Sequence, residues 1–167
     1  YLEETIMLEG PETIAAFILE PVTGTNGILI PPDGYLQGVR ELCDRHGILL
    51  IADEVMSGFG RTGEWFAVNH WGVVPDIMTM AKGLTSSAVP LGAVGLRPSV
   101  HSYFDDHVFW GGLTYNSHPL ALAAALATIR VYEEDGLIEH SAKMGEVMAR
   151  HHQELADKHP SVGLVRN

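Results

Sequence analysis

Lys82 is the residue of this chain best placed to do chemistry. It follows the apolar run Asp76–Ala81 and precedes a glycine, so the pattern predicts a strand that delivers its side chain to the carboxyl edge of a sheet. A lysine that is desolvated at such an edge becomes a nucleophile toward an aldehyde. The simpler interpretation is an edge lysine that reaches water. The other lysines, Lys143 and Lys158, lie among mixed charges on a predicted helix, where a solvated position is expected.

Asp53 and Glu54 are adjacent carboxylates that follow the apolar run Ile48–Ala52. Neighbours on a strand point to opposite sides, so one carboxylate can reach a site at the strand end while the other packs or pairs elsewhere. Against a pyridine nitrogen, a carboxylate would keep that nitrogen protonated and let the ring withdraw electrons. A metal-binding or helix-capping pair is the alternative. The run also resembles the Walker B strand of ATPases.

Two nucleotide-binding interpretations are disfavoured by the same sequence. An ATPase needs a glycine-rich loop that ends in Lys-Ser or Lys-Thr, and none of the lysines is followed by either residue. Gly58–Gly63 has the spacing G-x-G-x-x-G, but it does not directly follow a strand and no ribose-binding acid is evident. The nine histidines are scattered, and His151 and His152 on a charged helix predict a solvated face, so we expect no metal site.

The elements that must position these residues indicate an α/β fold. An apolar strand, then a helix that Asp33 could cap and Gly47 ends, then a second apolar strand form the pattern of a βαβ crossover. Unbroken apolar strands imply helices on both faces of the sheet. A hairpin-like return is expected between the third and fourth strands. The predicted strands are Ala15–Glu20, Ile48–Asp53, Asp76–Lys82 and Leu91–Leu96, and long helices are predicted from His118 to Gly136 and over Leu137–Lys158.

Composition limits the classes of function. With 167 residues, 46% of them hydrophobic, the chain can bury the core of one domain or of part of one. Its formal charge of −11 disfavours nucleic acid and anionic membranes as partners. A single cysteine, Cys43, rules out an internal disulfide and favours a cytoplasmic location. No apolar run approaches the roughly 20 residues that cross a bilayer.

Five ordered motifs resemble the class III aminotransferases, also called omega-aminotransferases, among the fold-type I pyridoxal-phosphate (PLP) enzymes. The resemblance covers nearly the whole chain. It implies an α/β large domain with a mostly parallel sheet sandwiched by helices, of which residues 1–167 are an incomplete part that ends near the start of the small carboxyl-terminal domain. The motifs are Glu20-Pro-Val, Asp53–Gly63, Pro75–Gly83, Pro90–Ala93 and Thr114–Pro119.

The resemblance also implies a role for individual residues. Lys82 would form the Schiff base with PLP and later shuttle a proton, while Asp53 would hold the pyridinium. Val55, on the same side of a strand as Asp53, would lie against one face of the ring. Thr114 would donate to the cofactor phosphate of a neighbouring subunit, which makes a homodimer with shared active sites. Glu20 would lie near the substrate pocket.

The implied reaction is the transfer of an amino group from a primary amine or omega-amino acid to a 2-oxo acid. Met56 stands where many relatives have a glutamine, and Ala88 where close relatives often have an aromatic residue. Met56 and the loop Gly24–Gly27 resemble the pyruvate-dependent branch of the family, so pyruvate is the expected acceptor. Other PLP chemistry, such as that of an aminomutase or a racemase, is the first alternative. A nucleotide-binding ATPase module is the second.

Overall fold

Three parallel strands and one antiparallel strand form the sheet at the centre of the chain. The computed structural model describes residues 1–166. The strands are hydrogen-bonded in sequence order; the first three run parallel, and the fourth returns antiparallel to the third, as the hairpin-like return predicted. The strands are β1 (Ala16–Leu19), β2 (Leu49–Asp53), β3 (Ile77–Met80) and β4 (Ala93–Leu96).

Six α-helices within residues 1–166 accompany the sheet. The crossover helix and the two long terminal helices are confirmed, whereas the first helix and the two short ones after β4 were not predicted. No helix in this part of the chain is long and apolar enough to cross a membrane. The helices are α1 (Leu2–Glu9), α2 (Tyr35–His46), α3 (Pro98–His101), α4 (Tyr103–Asp106), α5 (Pro119–Glu134) and α6 (Leu137–Lys158).

Helix α2 ends where the sequence predicted but begins without the predicted cap. Gly47 takes a left-handed φ of 67°, and its N–H donates to the carbonyl of Cys43. Glycine adopts this conformation without the steric penalty of a Cβ, which explains the sharp end. The capping role predicted for Asp33 is wrong, because Gly34 occupies the N-cap position and no side chain caps the helix.

One face of the sheet carries the main core. Leu36, Val39 and Cys43 of α2 are buried against Leu50 of β2. On the opposite face of the sheet, Ile18 and Val94 are each 62% exposed, and the strand register places them on the same side as Asp53. Residues 1–166 therefore carry one of the two helical layers that the sequence predicted, and the face with Ile18 and Val94 is left largely uncovered. A run of apolar residues shows that a strand is suited to burial, but it does not say which segment covers it.

Asp76 joins three elements at the edge of the sheet opposite the strand ends discussed below. Its buried carboxylate accepts hydrogen bonds from the Leu50 N–H at 2.8 Å, from Arg40 at 2.8 Å and from Arg97 at 3.1 Å. Burial alone raises the pKa of Asp76, but the hydrogen bonds and the Arg40 charge outweigh burial and lower the pKa below its ordinary value. The cluster fixes α2 and the end of β4 to the start of β3.

We expect Asp76→Asn to lower the free energy of unfolding by about 3 kcal/mol, because it leaves the half-buried Arg40 without its buried partner. Asp44→Asn is the matched control. Asp44 also pairs with Arg40 at 2.8 Å, but its side chain is 64% exposed, so the loss should stay below about 1 kcal/mol. Urea unfolding of both variants measures the difference.

The same comparison has a predicted pH dependence. The folded-state pKa of Asp76 lies below its unfolded value, so its contribution is present above the unfolded value of about 3.9 and is lost as pH falls through the folded value. The stability gap between the unmodified protein and Asp76→Asn should therefore narrow below pH of about 4. A gap of constant size down to that range would contradict the assignment.

Candidate functional site

The carboxyl ends of the three parallel strands bring Glu20, Asp53 and Lys82 to one edge of the sheet. Glu20 directly follows β1, Asp53 is the last residue of β2, and Lys82 comes two residues after the end of β3. The register pairs Asp53 with Thr79, so the ends of β2 and β3 are adjacent. Strand ends of this kind are where open α/β sheets bind ligands. The edge at which the sequence placed Lys82 thus also holds Glu20 and Asp53.

The backbone at Lys82 is strained. Lys82 begins a short 3-10 turn, Lys82–Leu84, with a positive φ of 40°, and Ser86 and Ser87 follow with φ of 48° and 66°. Non-glycine residues in this left-handed region cost about 1–3 kcal/mol each and cluster at functional sites. The side chain of Lys82 is exposed. Of the two interpretations that the sequence offered, the edge lysine that reaches water is therefore the one seen in residues 1–166, and β3 ends two residues before Lys82 rather than at it.

Only one of the two carboxylate oxygens of Asp53 accepts a hydrogen bond within the described chain. Its Oδ1 accepts the backbone N–H of Val55 at 2.9 Å, and in the described chain Oδ2 accepts no hydrogen bond. Val55 lies in a turn after β2. The strand alternation used to place it beside Asp53 is therefore wrong. Next to Asp53 in the register, the buried hydroxyl of Thr79 has no partner within residues 1–166, so this place suits a further polar group.

Glu54 is the carboxylate that packs inside. It is completely buried, and its two oxygens accept hydrogen bonds from the Ser57 hydroxyl at 2.6 Å, the Ala67 N–H at 3.0 Å and the Val68 N–H at 2.9 Å. These bonds close the loop between residues 55 and 66 onto the end of β2. The prediction that one member of the pair packs elsewhere is confirmed, and the loop keeps its neighbour Asp53 at the edge.

Glu20 and Met56 meet through the loop that begins at Gly24. The Glu20 carboxylate accepts the Gly24 N–H at 2.8 Å. A Cβ at position 24 would lie only 2.1 Å from the Met56 sulfur, so this glycine permits the long side chain to pass. Two features that distinguished this chain from many relatives, Met56 and the loop Gly24–Gly27, are therefore in direct contact.

Thr114 lies apart from this edge. It opens an exposed turn before α5, and within residues 1–166 no hydrogen bond joins it to the loops of Asp53 or Lys82. The segment around it exposes large apolar side chains. These are Val108, Phe109, Trp110, Leu113 and Tyr115, each at least 66% exposed.

Helices α5 and α6 support the two loops of the site, which the sequence did not reveal. The Tyr132 hydroxyl donates to the Gly83 carbonyl at 2.7 Å, and the Ser141 hydroxyl donates to the Gly60 carbonyl at 2.7 Å. A Cβ at Gly60 would meet the Ile138 side chain of α6 at 2.7 Å. Close contact between loop and helix therefore accounts for a glycine of the G-x-G-x-x-G spacing. No local pattern signals contacts across such sequence distances.

Comparison with known proteins decides which family uses this arrangement. The family model for class-III aminotransferases matches residues 1–167. The chain belongs to the class-III aminotransferases. A putrescine–pyruvate aminotransferase of Pseudomonas aeruginosa is 45% identical over 167 residues, which cover 99% of this chain and 36% of that protein. This class-III aminotransferase chain thus spans about a third of the length of such relatives.

Solved structures show the same fold. An (S)-enantioselective omega-transaminase from Thermomicrobium roseum is 46% identical, with a TM-score of 0.93 over 99% of this chain and 37% of its own. A taurine:2-oxoglutarate aminotransferase from Bifidobacterium kashiwanohense, in complex with PLP and glutamate, is 45% identical, with a TM-score of 0.92 over 95% of this chain and 35% of its own. The class-III aminotransferase chain is part of a fold-type I structure, and PLP is the cofactor of its family.

The residues at the strand edge fit PLP chemically. An exposed amine, a carboxylate with a free oxygen and a buried hydroxyl without a partner lie at adjacent strand ends, at Lys82, Asp53 and Thr79. The family assignment replaces the ATPase interpretation of the Asp53-Glu54 run. Within residues 1–166 no group of His, Cys, Asp and Glu side chains could hold a metal ion.

We expect Glu54→Gln to lower the free energy of unfolding by about 2 kcal/mol, because an amide N–H₂ would face N–H and O–H donors that the carboxylate now satisfies. Glu64→Gln, a substitution at an exposed position of the same loop, should change the free energy of unfolding by no more than about 0.5 kcal/mol. Chemical denaturation, with limited proteolysis between residues 55 and 66, measures both effects. Equal stability of the two variants would show that Glu54 does not anchor the loop.

Proposed function

We propose that this chain is part of the PLP-binding large domain of an aminotransferase, ending near the start of the small carboxyl-terminal domain. The whole enzyme transfers an amino group from a primary amine or omega-amino acid to a 2-oxo acid. The observation that carries the proposal is the convergence of Glu20, Asp53 and Lys82 at the carboxyl edge of parallel strands. Cys43, buried and free, accords with the predicted cytoplasmic location.

In this proposal each residue has a separate task. When bound, PLP supplies an electron-withdrawing ring that stabilises negative charge beside the reacting carbon. Lys82 would hold the cofactor through its Nζ, and once the substrate amine has displaced it, the freed Nζ would move a proton. Asp53 presents its free Oδ2 to the ring nitrogen and keeps that nitrogen protonated, while Val55, held in the turn by the Asp53 Oδ1 bond, borders the ring. Glu20 faces the substrate side.

Pyruvate is the acceptor that we propose. Met56 offers no hydrogen-bond donor of the kind a glutamine at this position would supply, and it fills the space over Gly24 beside Glu20. A relative named for putrescine and pyruvate supports this choice, whereas the taurine:2-oxoglutarate enzyme supports a second acceptor class. Transamination rates of the full-length protein with pyruvate and with 2-oxoglutarate, at equal concentration, distinguish these two acceptors.

The functional unit that we propose is a homodimer in which Thr114 serves the partner's site. Its segment exposes a run of aromatic and aliphatic side chains, of which Trp110 is 90% exposed. Contiguous apolar surface of this kind marks an interface. The backbone at Gly111 and Gly112 permits close approach of another chain, and Thr114 then offers a hydroxyl and an amide to a phosphate.

Borohydride reduction of the full-length protein with PLP should place a stable label on Lys82. The strand-end position explains why this amine, rather than another, meets the cofactor. Peptide mapping reads the position, with Lys143 and Lys158, both exposed on α6, as internal controls. A label on either control, or none at all, contradicts the proposal. Turnover that does not depend on a 2-oxo acid would favour a racemase or an aminomutase instead.

Mixing two inactive full-length variants, Lys82→Ala and Thr114→Arg, should restore activity. Half of the dimers are then mixed, and each mixed dimer has one site with an intact lysine and its partner's intact threonine, so about one quarter of full activity is expected. Activity assays after verified subunit exchange measure the recovery.

The matched control for this experiment mixes Lys82→Ala with Asp53→Ala. Both residues belong to the same chain's strand edge, so no mixed dimer contains an intact site and activity should stay absent. Absence of recovery in the Thr114 mixture would show that Thr114 does not act across subunits, and recovery in the control would show that Lys82 and Asp53 do not serve the same site.

A further inference from the structure

We propose that Tyr132 is a positioning residue for Lys82, and that it acts by holding the Gly83–Leu84 peptide, one residue beyond the lysine. This inference rests on the proposed function, in which Lys82 attaches the cofactor. Tyr132 lies on α5, 49 residues beyond Gly83, and its hydroxyl donates to the Gly83 carbonyl at 2.7 Å. That hydrogen bond joins a long helix to the residue next to Lys82.

The Gly83 peptide is held from two sides. A Cβ at position 83 would lie 2.7 Å from the Cβ of Phe59, so the loop after Asp53 presses directly on the glycine. On the other side the Gly83 carbonyl accepts both the Tyr132 hydroxyl and the N–H of Ser86 at 3.2 Å. The peptide can therefore not rotate without losing these bonds or colliding with Phe59.

Lys82 needs such support because its own backbone is strained. A φ of 40° is unfavourable for a lysine, and relaxation of this angle would redirect the side chain away from the strand edge. Strained conformations persist only where the surroundings fix them. The Tyr132 hydrogen bond supplies one such restraint from outside the loop.

The ring of Tyr132 has a separate packing role. It lies 6.2 Å from the Phe59 ring and 6.1 Å from the Trp65 ring, measured between centroids. Tyr132→Phe retains these ring contacts and removes only the hydroxyl. The substitution therefore tests the hydrogen bond to Gly83 without opening a cavity.

A double-mutant cycle in the full-length protein tests the proposal. The unmodified protein, Tyr132→Phe, Lys82→Ala and the double variant are each stripped of cofactor and mixed with PLP. We expect Tyr132→Phe to slow the appearance of the borohydride-trapped label on Lys82 about three- to tenfold, as for loss of one hydrogen bond. In the Lys82→Ala background, the dissociation constant for non-covalent PLP should change less than about twofold.

Tyr103→Phe is the matched control, because Tyr103 is exposed on α4 and its hydroxyl has no hydrogen-bond partner within residues 1–166. It should label Lys82 at the rate of the unmodified protein. An unchanged labelling rate in Tyr132→Phe overturns the proposal. Weaker PLP binding in both backgrounds, with a lower thermal unfolding midpoint, means a purely structural role and also overturns it.

Labelling of the unmodified protein tests the proposed function separately from the role of Tyr132. If the unmodified protein shows no label on Lys82, the proposed function fails and the assignment of Tyr132 fails with it. If the unmodified protein and Tyr103→Phe are labelled at Lys82 and Tyr132→Phe is labelled at the same rate, only the assignment of Tyr132 fails.

Discussion

Parallel pairing of β1, β2 and β3 is the constraint on which the rest of the structure depends. Strands that run the same way end at the same edge, so residues far apart in sequence arrive together without any direct bond between them. The crossover helix α2 makes this pairing possible and buries one face of the sheet. The Asp76 cluster secures the opposite edge, which leaves the carboxyl edge free to carry loops rather than core.

The loops at that edge are fixed mainly by hydrogen bonds to backbone groups. Glu54 accepts from two backbone N–H groups, while Tyr132 and Ser141 each donate to a loop carbonyl. Such bonds tolerate variation of the loop side chains, because they use atoms that every residue has. Asp53 and Lys82, to which we assign the chemistry, keep few bonds of their own and remain available.

Much of this fold could be predicted because its signals are local. The apolar strands and the glycine that ends α2 appear in short windows of sequence, and so does the position of Lys82 after a strand. The turn at Val55 could not be predicted from strand alternation, since it lies beyond the end of β2, whereas the exposure of Lys82 was one of the two interpretations that the sequence offered. Tyr132 was missed because its contact spans 49 residues, and nothing in its own helix distinguishes it from a tyrosine that only packs.

The contact between Gly24 and Met56 also limits how the site can be redesigned. Any side chain at position 24 would meet the methionine sulfur, so a larger residue there requires the partly exposed Met56 side chain to move aside or to be shortened. If both positions are varied together, a larger side chain at position 24 can be combined with a shorter one at position 56, because the two side chains share the same space.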